Sequence, residues 1–293
     1  MRVAAVQMCS GADPQRNVAD AKRLVHEAAA AGAEYIQLPE YFVYLGPESG
    51  YPRSAETLSG PTVRSFQALA QELDAAIHLG SIIEPSETPA RFFNTSVLID
   101  RSGALRGIYR KVHLFDIEVP GEVEERESAT IVPGSRLCIA ALGPLEIGLS
   151  TCFDIRFPEL YRQLLIGGAT AFAVPAAFAR ATGRVHWEVL VRARAIENHA
   201  FVIAAAQAGE TVEGIATHGH SLVVDPWGEI LAEGNAESED LLVMDLEVGD
   251  VAKRRAQIDI VGLRRPDVYA SPVERCDTVT TGSAHSPMMQ SQQ

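Results

Sequence analysis

The segment Gly148-Leu-Ser-Thr-Cys-Phe-Asp-Ile-Arg-Phe-Pro-Glu159 constrains the fold more than any other stretch of the chain. An apolar, strand-like run from Leu145 to Leu149 leads into it, and Pro158 opens a helical run that lasts to about Ile166. Proline suits the first turn of a helix, where its missing N–H is not needed. A buried strand, a tight turn and a helix, in that order, commit the chain to an α/β architecture. Cys152 sits on the turn, so its sulfur is held at the mouth of a sheet. Unpaired backbone N–H groups at such a turn are expected to lower the thiol pKa.

The rest of the chain repeats the unit and then changes it. Val3 to Met8 reads as a buried strand. A helix from Asp13-Pro14 to about Ala31 follows, with Val18, Ala21, Leu24, Val25 and Ala28 at helical spacing. Tyr35 to Leu38 is a second strand that delivers Glu40. Residues 41–60 read as a loop, Pro61 starts another helix, and Ile77 to Ile83 reads as one strand. Phe93 to Ile99 and Leu105 to Tyr109 form a hairpin around Ser102-Gly103, with Lys111 at its end. A polar loop is expected up to Ser135, then strands at Leu137 to Ala141 and Leu145 to Leu149. Beyond Cys152 come a strand at Ala171 to Val174, a helix over His186 to Asn198 and four further strands. Two of these strands are joined by the turn Asp225-Pro-Trp-Gly228. Helices early and hairpins late predict two mixed sheets with helices outside. One domain over residues 1–271 and a polar C-terminal tail over 277–293 are the expected organisation.

Composition excludes several classes. The 293 residues are 47% hydrophobic, enough for a large core, and the net charge is −13. An acidic surface repels phosphate backbones, which argues against nucleic acid as a partner. The cysteines (Cys9, Cys138, Cys152 and Cys276) show no metal-ligand spacing, so no metal or other cofactor is expected. The N-terminal apolar run is too short for a signal peptide, and no run reaches the roughly 20 residues of a membrane span. These features predict a cytoplasmic protein with no membrane contact.

Three strand ends carry chemistry: Leu38-Pro-Glu40, Tyr109-Arg-Lys111 and Ser150-Thr-Cys152. Strand ends on one edge of a sheet converge on one site. A thiol, an acid and an amine meeting there can attack a carbon–nitrogen bond. Glu40 would take the thiol proton and later activate water, while Lys111 and the Phe153 N–H would stabilise an oxyanion. Each has a plainer alternative: a buried structural thiol, a cap and a solvated strand-end lysine. His113, two residues from Lys111, could line the site. Asp154 reads as a cap for the helix starting at Pro158.

These residues stand in motifs that resemble the nitrilase superfamily of carbon–nitrogen hydrolases over about residues 1–271. The motifs are Leu38-Pro-Glu-Tyr-Phe42, Arg110-Lys-Val-His-Leu-Phe-Asp116 and Cys152-Phe-Asp-Ile-Arg-Phe-Pro-Glu-Leu160. The resemblance implies a four-layer αββα sandwich, catalytic roles for Glu40, Lys111 and Cys152, and assembly into homodimers or larger homo-oligomers. It places a second glutamate on Glu127, with Glu124 and Glu125 as competitors. It also suggests that Arg156 binds a substrate carboxylate, against the alternative of an ion pair with Glu159 or Asp154.

Arg192-Ala-Arg-Ala-Ile-Glu-Asn198 and Gly219-His-Ser-Leu-Val-Val-Asp-Pro-Trp-Gly228 resemble the Nit branch, whose members include deaminated-glutathione amidase and ω-amidase. The function implied is a thiol amidase that acts on such a small amide through a Cys thioester and releases ammonia. A nitrilase, an N-carbamoyl amidohydrolase and a catalytically silent scaffold are the alternatives. Glu122-Val-Glu-Glu-Arg126 departs from the branch in its density of charge.

Overall fold

A computed structural model of the chain describes residues 1–121 and 123–273; the expected tail at 277–293 lies outside the described residues. The chain divides into two units, Met1–Ile260 and Val261–Gln293. The described part of the second holds one short helix, Pro266–Tyr269, whose first turn carries an Arg265–Asp267 ion pair at 2.7 Å.

Two sheets form the centre of the first unit. One contains β1 (Arg2–Gln7), β2 (Tyr35–Gln37), β3 (Ala76–His78), β4 (Ile82–Pro85), β5 (Phe92–Ile99) and β6 (Leu105–Arg110). A separate two-stranded hairpin, β7 (Asp116–Val119) with β8 (Val123–Arg126), follows. The second sheet contains β9 (Cys138–Leu142), β10 (Leu145–Leu149), β11 (Ala171–Ala173), β12 (Phe201–Ala204), β13 (Leu222–Val224) and β14 (Ile230–Glu233). The chain then returns, and β15 (Asp240–Asp245) pairs antiparallel with β1 in the first sheet. Each sheet has a parallel centre, β1-β2-β3 in one and β10-β11-β12 in the other, flanked by antiparallel strands.

Burial shows the layering. Along β1, Val3 and Ala5 belong to the core between the sheets, while Ala4 and Val6 face the first sheet's helices. That alternation is the period of a strand covered on both faces. Helices α1 (Pro14–Ala30) and α3 (Pro61–Leu73), with the short α2 (Tyr51–Ser54) between them in sequence, belong to the first half of the chain. Leu24, Val25 and Ala28 of α1 and Phe66 of α3 fill the outer face of the first sheet. Helices α4 (Pro158–Ile166) and α5 (Arg180–Asn198) cover the second sheet with Tyr161, Leu164, Trp187 and Val191. Each fully buried apolar side chain of this size contributes about 1.5–3 kcal/mol. The arrangement is the αββα sandwich. The start of α1 shows the local logic: Pro14 occupies the first turn, and the Asp13 carboxylate accepts from the N–H groups of Gln15 and Arg16 at 3.0 and 3.2 Å.

The structure departs from the sequence-based expectations in four places. The loop expected over residues 41–60 contains a 3-10 turn over Glu48–Gly50 and the short helix α2. The single strand expected at 77–83 is two strands, β3 and β4, because Gly80 turns the chain at φ 40°. A side chain there would run into the carbonyl oxygens of Leu38 and Pro39, so this break lies directly under the segment that carries Glu40. The polar loop expected up to Ser135 contains the β7-β8 hairpin and a 3-10 turn over Glu127–Ala129. Helix α5 begins at Arg180 rather than His186. It buries Trp187, Val191 and Ala195, and leaves Val189 65% and Ile196 47% exposed. Two apolar stripes share this helix, and the one bearing the large indole wins the core, with its Nε1 donating to the His220 carbonyl at 2.7 Å.

Candidate active site

Strand ends supply the site. The chain leaves β2 through Leu38 and Pro39 to Glu40, leaves β6 directly into Lys111, and leaves β10 through Ser150 and Thr151 to Cys152. Cys152 has φ 47°, in the left-handed region, and begins a 3-10 turn over Cys152–Arg156. Its N–H donates to the Pro175 carbonyl at 2.9 Å, which ties the turn to the end of β11. Phe153 is second in that turn, where an N–H has no acceptor within the helix.

Lys111 is 2% exposed and sits between two carboxylates. Its Nζ is 3.0 Å from Glu40 Oε1, and 3.2 and 2.8 Å from Glu127 Oε1 and Oε2. Asn94 Nδ2 donates to both acids, at 2.8 Å to Glu40 and 3.1 Å to Glu127. Glu127 also accepts from the Tyr41 hydroxyl at 2.8 Å and the Phe115 N–H at 2.7 Å. Five hydrogen bonds therefore fill the acceptor sites of Glu127. The Glu40 Oε2 atom accepts one, from the Ala177 N–H at 2.8 Å, and retains a free acceptor position.

The ionisations form one coupled unit. Burial and then the neighbouring Glu40 push the Cys152 thiol well above the ordinary thiol range, and Lys111 only partly opposes them. The expected lowering of the thiol pKa is thus corrected: for a buried thiol, desolvation outweighs a few turn dipoles. Burial alone would lower the Lys111 pKa, but Glu127 and Glu40 overcome it and hold the ammonium well above its usual range. Burial would raise Glu127, and Lys111 with the Phe115 and Asn94 donors brings it below the usual carboxylate range.

These groups open into a cavity of about 610 Å³ whose lining includes Glu40, Lys111, Glu127, Cys152 and Phe153. Glu124 and Glu125 are also lining residues, but among the described residues the carboxylates bonded to Lys111 are those of Glu40 and Glu127. His113 and Arg156 are not among the lining residues. His113 stacks on Phe157 with ring centroids 3.7 Å apart, and its Nδ1–H donates to Asp154 at 2.8 Å. The Arg156 guanidinium lies over the rings of Phe153 and Phe178 and donates to His186 Nδ1 at 3.2 Å. Among the described residues it pairs with neither Glu159 nor Asp154.

Asp154 does not cap α4; it holds the site together. Fully buried, it accepts from Tyr109 Oη at 2.6 Å, from the His113 N–H at 3.0 Å and from the Thr151 N–H at 2.8 Å. It joins the residues flanking Lys111 to the turn of Cys152. Sequence reasoning also missed Asn94 and Tyr41. Asn94 stands as a polar residue inside the apolar run of β5, which is the signal that could have found it. Tyr41 follows Glu40 at φ 55°, bent back so that its hydroxyl reaches Glu127.

An αββα sandwich whose strand ends bring a thiol beside a carboxylate and a doubly held lysine is the architecture of a thiol hydrolase. The family described as carbon-nitrogen hydrolase matches residues 2–256. The chain belongs to this family. It is 38% identical over 274 residues to bovine deaminated glutathione amidase, covering 92% of this chain and 83% of the relative. It is 34% identical to human omega-amidase, covering 94% and 98%. A solved amidase from Nesterenkonia sp. AN1 superimposes with a TM-score of 0.75 at 30% identity, covering 88% and 95%. That structure carries the acetamide moiety of fluoroacetamide on its active-site cysteine. The chain is a thiol-dependent amidase of the nitrilase superfamily.

Proposed function

We propose that Cys152, Glu40 and Lys111 hydrolyse a small non-peptide amide through a thioester, with Glu127 anchoring the lysine. The observation that carries this reading is the division of labour between the two acids. Glu127 is saturated with donors, whereas Glu40 has an acceptor position free beside a thiol that burial keeps protonated. Glu40 takes the thiol proton as sulfur bonds to the amide carbon. The carbonyl electron pair moves to oxygen, where Lys111 Nζ and the Phe153 N–H stabilise it. Collapse breaks the C–N bond, and the nitrogen leaves as ammonia with the proton from Glu40. Water then gives a proton to Glu40 and adds to the thioester carbon. The C–S bond breaks, the acid is released, and the proton returns to sulfur. No step calls for a metal or an organic cofactor.

The names of the relatives make deaminated glutathione and ω-amides of keto acids the first compounds to test. The experiment is ammonia release from such amides by wild type and Cys152→Ala. Turnover that depends on Cys152 supports the reading, and equal turnover by both proteins ends it. An N-carbamoyl amidohydrolase loses its expected carboxylate anchor, because Arg156 does not line the cavity.

Among the described residues, no helix is long and apolar enough to cross a membrane. We infer a cytoplasmic protein with no nucleic-acid partner, consistent with the net charge of −13. We also infer a homodimer or larger homo-oligomer, which would cover the exposed Val185 and Val189 of α5. Sedimentation velocity tests this, and a monomer at working concentration would refute it.

A further inference from the structure

Glu40 is held from both sheets. It follows β2 of the first sheet, but its carboxylate is gripped from the second: Oε2 accepts from the Ala177 N–H at 2.8 Å. Two residues earlier, the Pro175 carbonyl accepts the Cys152 N–H at 2.9 Å. Residues 175–177, just past β11, therefore hold both the acid and the thiol segment. Between them, the Ala176 carbonyl accepts the N–H of Gln207 at 2.8 Å, three residues past β12. The fully buried side chain of Gln207 then returns to the first sheet. Its Nε2 donates to the Glu40 carbonyl and to Ser10 Oγ, each at 3.0 Å, and its Oε1 accepts from the Ser10 N–H at 3.0 Å. Ser10 Oγ donates onward to the Phe42 carbonyl at 3.0 Å. Gln207 and Ser10 thus hold the carbonyls on either side of Tyr41, whose own N–H donates to Ser81 Oγ at 2.9 Å. Tyr41 has φ 55°, a conformation that a residue with a side chain keeps only where its surroundings fix it.

We propose that Gln207 is a positioning residue of the amidase, which places Glu40 against Cys152 by tying the Glu40 carbonyl to the segment that already holds the Glu40 carboxylate and the Cys152 N–H. The proposal rests on the amidase reading above and adds a residue to it. Gln207 does not line the cavity, so it acts through Glu40. The bonds close a ring: from the Glu40 carbonyl through Gln207 to the Ala176 carbonyl, and back through the Ala177 N–H to the Glu40 carboxylate. Such a ring leaves the carboxylate one position. Proton transfer requires hydrogen-bond reach, so a small displacement of Glu40 is felt in the rate. Without the Gln207 amide, the Glu40 carbonyl and the Ser10 N–H lose a buried partner, and the turn at Tyr41 shifts to find others.

A second buried glutamine supplies the control. Gln7 of β1 is also fully buried. Its Nε2 donates to the Asn235 and Ser238 carbonyls at 2.7 and 2.8 Å, and its Oε1 accepts from the Ser221 N–H at 2.9 Å. None of these bonds reaches residues 40–42. A merely structural role predicts that Gln7→Met and Gln207→Met behave alike. The test measures kcat and KM for ammonia release from deaminated glutathione, and the pH dependence of Cys152 alkylation by iodoacetamide, followed by peptide mass because Cys9 is exposed. Gln207→Met should lower kcat by about 10–100-fold with KM within about twofold. Its alkylation profile should move to lower pH, since the Glu40 charge that helps hold the thiol up would stand farther away. Gln7→Met should keep the wild-type kcat and profile. Wild-type kcat and profile in Gln207→Met overturn the proposal, as do equal changes in both variants. If Gln207→Met does not fold, Ser10→Ala decides: it should lower kcat by about three- to tenfold, and a wild-type kcat there overturns the proposal. No ammonia from the wild type counts against the amidase reading, and the alkylation profiles then still judge the role of Gln207.

Discussion

The floor and the mouth of the cavity use the same residue type in opposite ways. At the floor, Glu40 and Glu127 are 1% and 8% exposed, and both are hydrogen-bonded to Lys111 and Asn94. At the mouth, Glu48 and Glu213 are exposed and stand in no ion pair among the described residues. A buried carboxylate is tolerable only with its partners, so the floor is a single unit in which no member can change alone. An exposed carboxylate keeps its hydration and projects a field without committing to a contact. The difference teaches which part carries the reaction and which part can vary with the substrate.

The largest effect expected from breaking the floor is on the reaction itself. Cys152→Ala should lower kcat by at least about 10⁴-fold, since removing a nucleophile eliminates the covalent route. Single-turnover and steady-state ammonia assays check it. Next comes stability. Lys111→Met leaves two carboxylates buried without their cation, and should destabilise the fold by about 3–5 kcal/mol as well as abolish turnover. Chemical denaturation measures the first and the ammonia assay the second. A variant as stable as wild type would mean that the floor is not one unit.

Behind the floor, His78 of β3 is fully buried between the Tyr35 hydroxyl at 3.2 Å and the Ser96 hydroxyl at 2.5 Å. Burial lowers its pKa to about 3. Between pH values of about 6.5 and 3 the unfolded chain therefore holds a proton that the folded chain refuses, and stability falls as the pH drops through that window. The loss by pH 4 should reach about 3 kcal/mol. His78→Gln should flatten that part of a stability–pH curve measured by denaturant titration. An unchanged slope would put the acid sensitivity elsewhere.

A smaller effect is expected at the joint between the lysine segment and the cysteine turn. Asp154→Asn keeps the shape but replaces one accepting oxygen with a donor that faces other donors, from Thr151, Tyr109 or His113. The expected loss in kcat is about 10–100-fold with KM little changed, because substrate does not touch Asp154. On the proton exchange proposed for Glu40 and the thiol, a shift in the pH–rate profile separates misplacement of that pair from simple loss of folded protein.

The floor was legible in the sequence because its chemistry sits at strand ends, where apolar runs stop at Glu40, Lys111 and Cys152. Two mixed sheets with helices outside were legible in the apolar runs and the proline-led helices, while the four-layer order came from the family resemblance, since a run such as Val3-Ala-Ala-Val6 is apolar on both faces. Other features depended on distance in space. Glu124, Glu125 and Glu127 lie within three positions of one another, and only the 3-10 turn after β8 decides which of them meets Lys111. Asp154 reads as a cap from its neighbours, while its main partners, Tyr109 and His113, lie more than forty positions away. The thiol pKa was misjudged because turn dipoles are visible in sequence and the depth of burial is not. Helix α5 carries two apolar stripes of helical period, and only the structure shows that the one bearing Trp187 is buried.

The smallest effect is the one that best separates the two regions. Glu213→Gln removes a charge from the mouth that has no ion-pair partner among the described residues, so its effect on unfolding free energy should lie within about 0.5 kcal/mol of zero. The same chemical change at Glu127 would leave Lys111 short of a counter-charge and put an amide among five donors, at a cost of several kcal/mol by about the same rule as for Lys111→Met. Thermal and denaturant unfolding of Glu213→Gln and Glu127→Gln side by side therefore measure burial and partnership with the residue type held constant. If Glu213→Gln destabilises as much as Glu127→Gln, the mouth is part of the folded scaffold and cannot be tuned independently of the reaction below it.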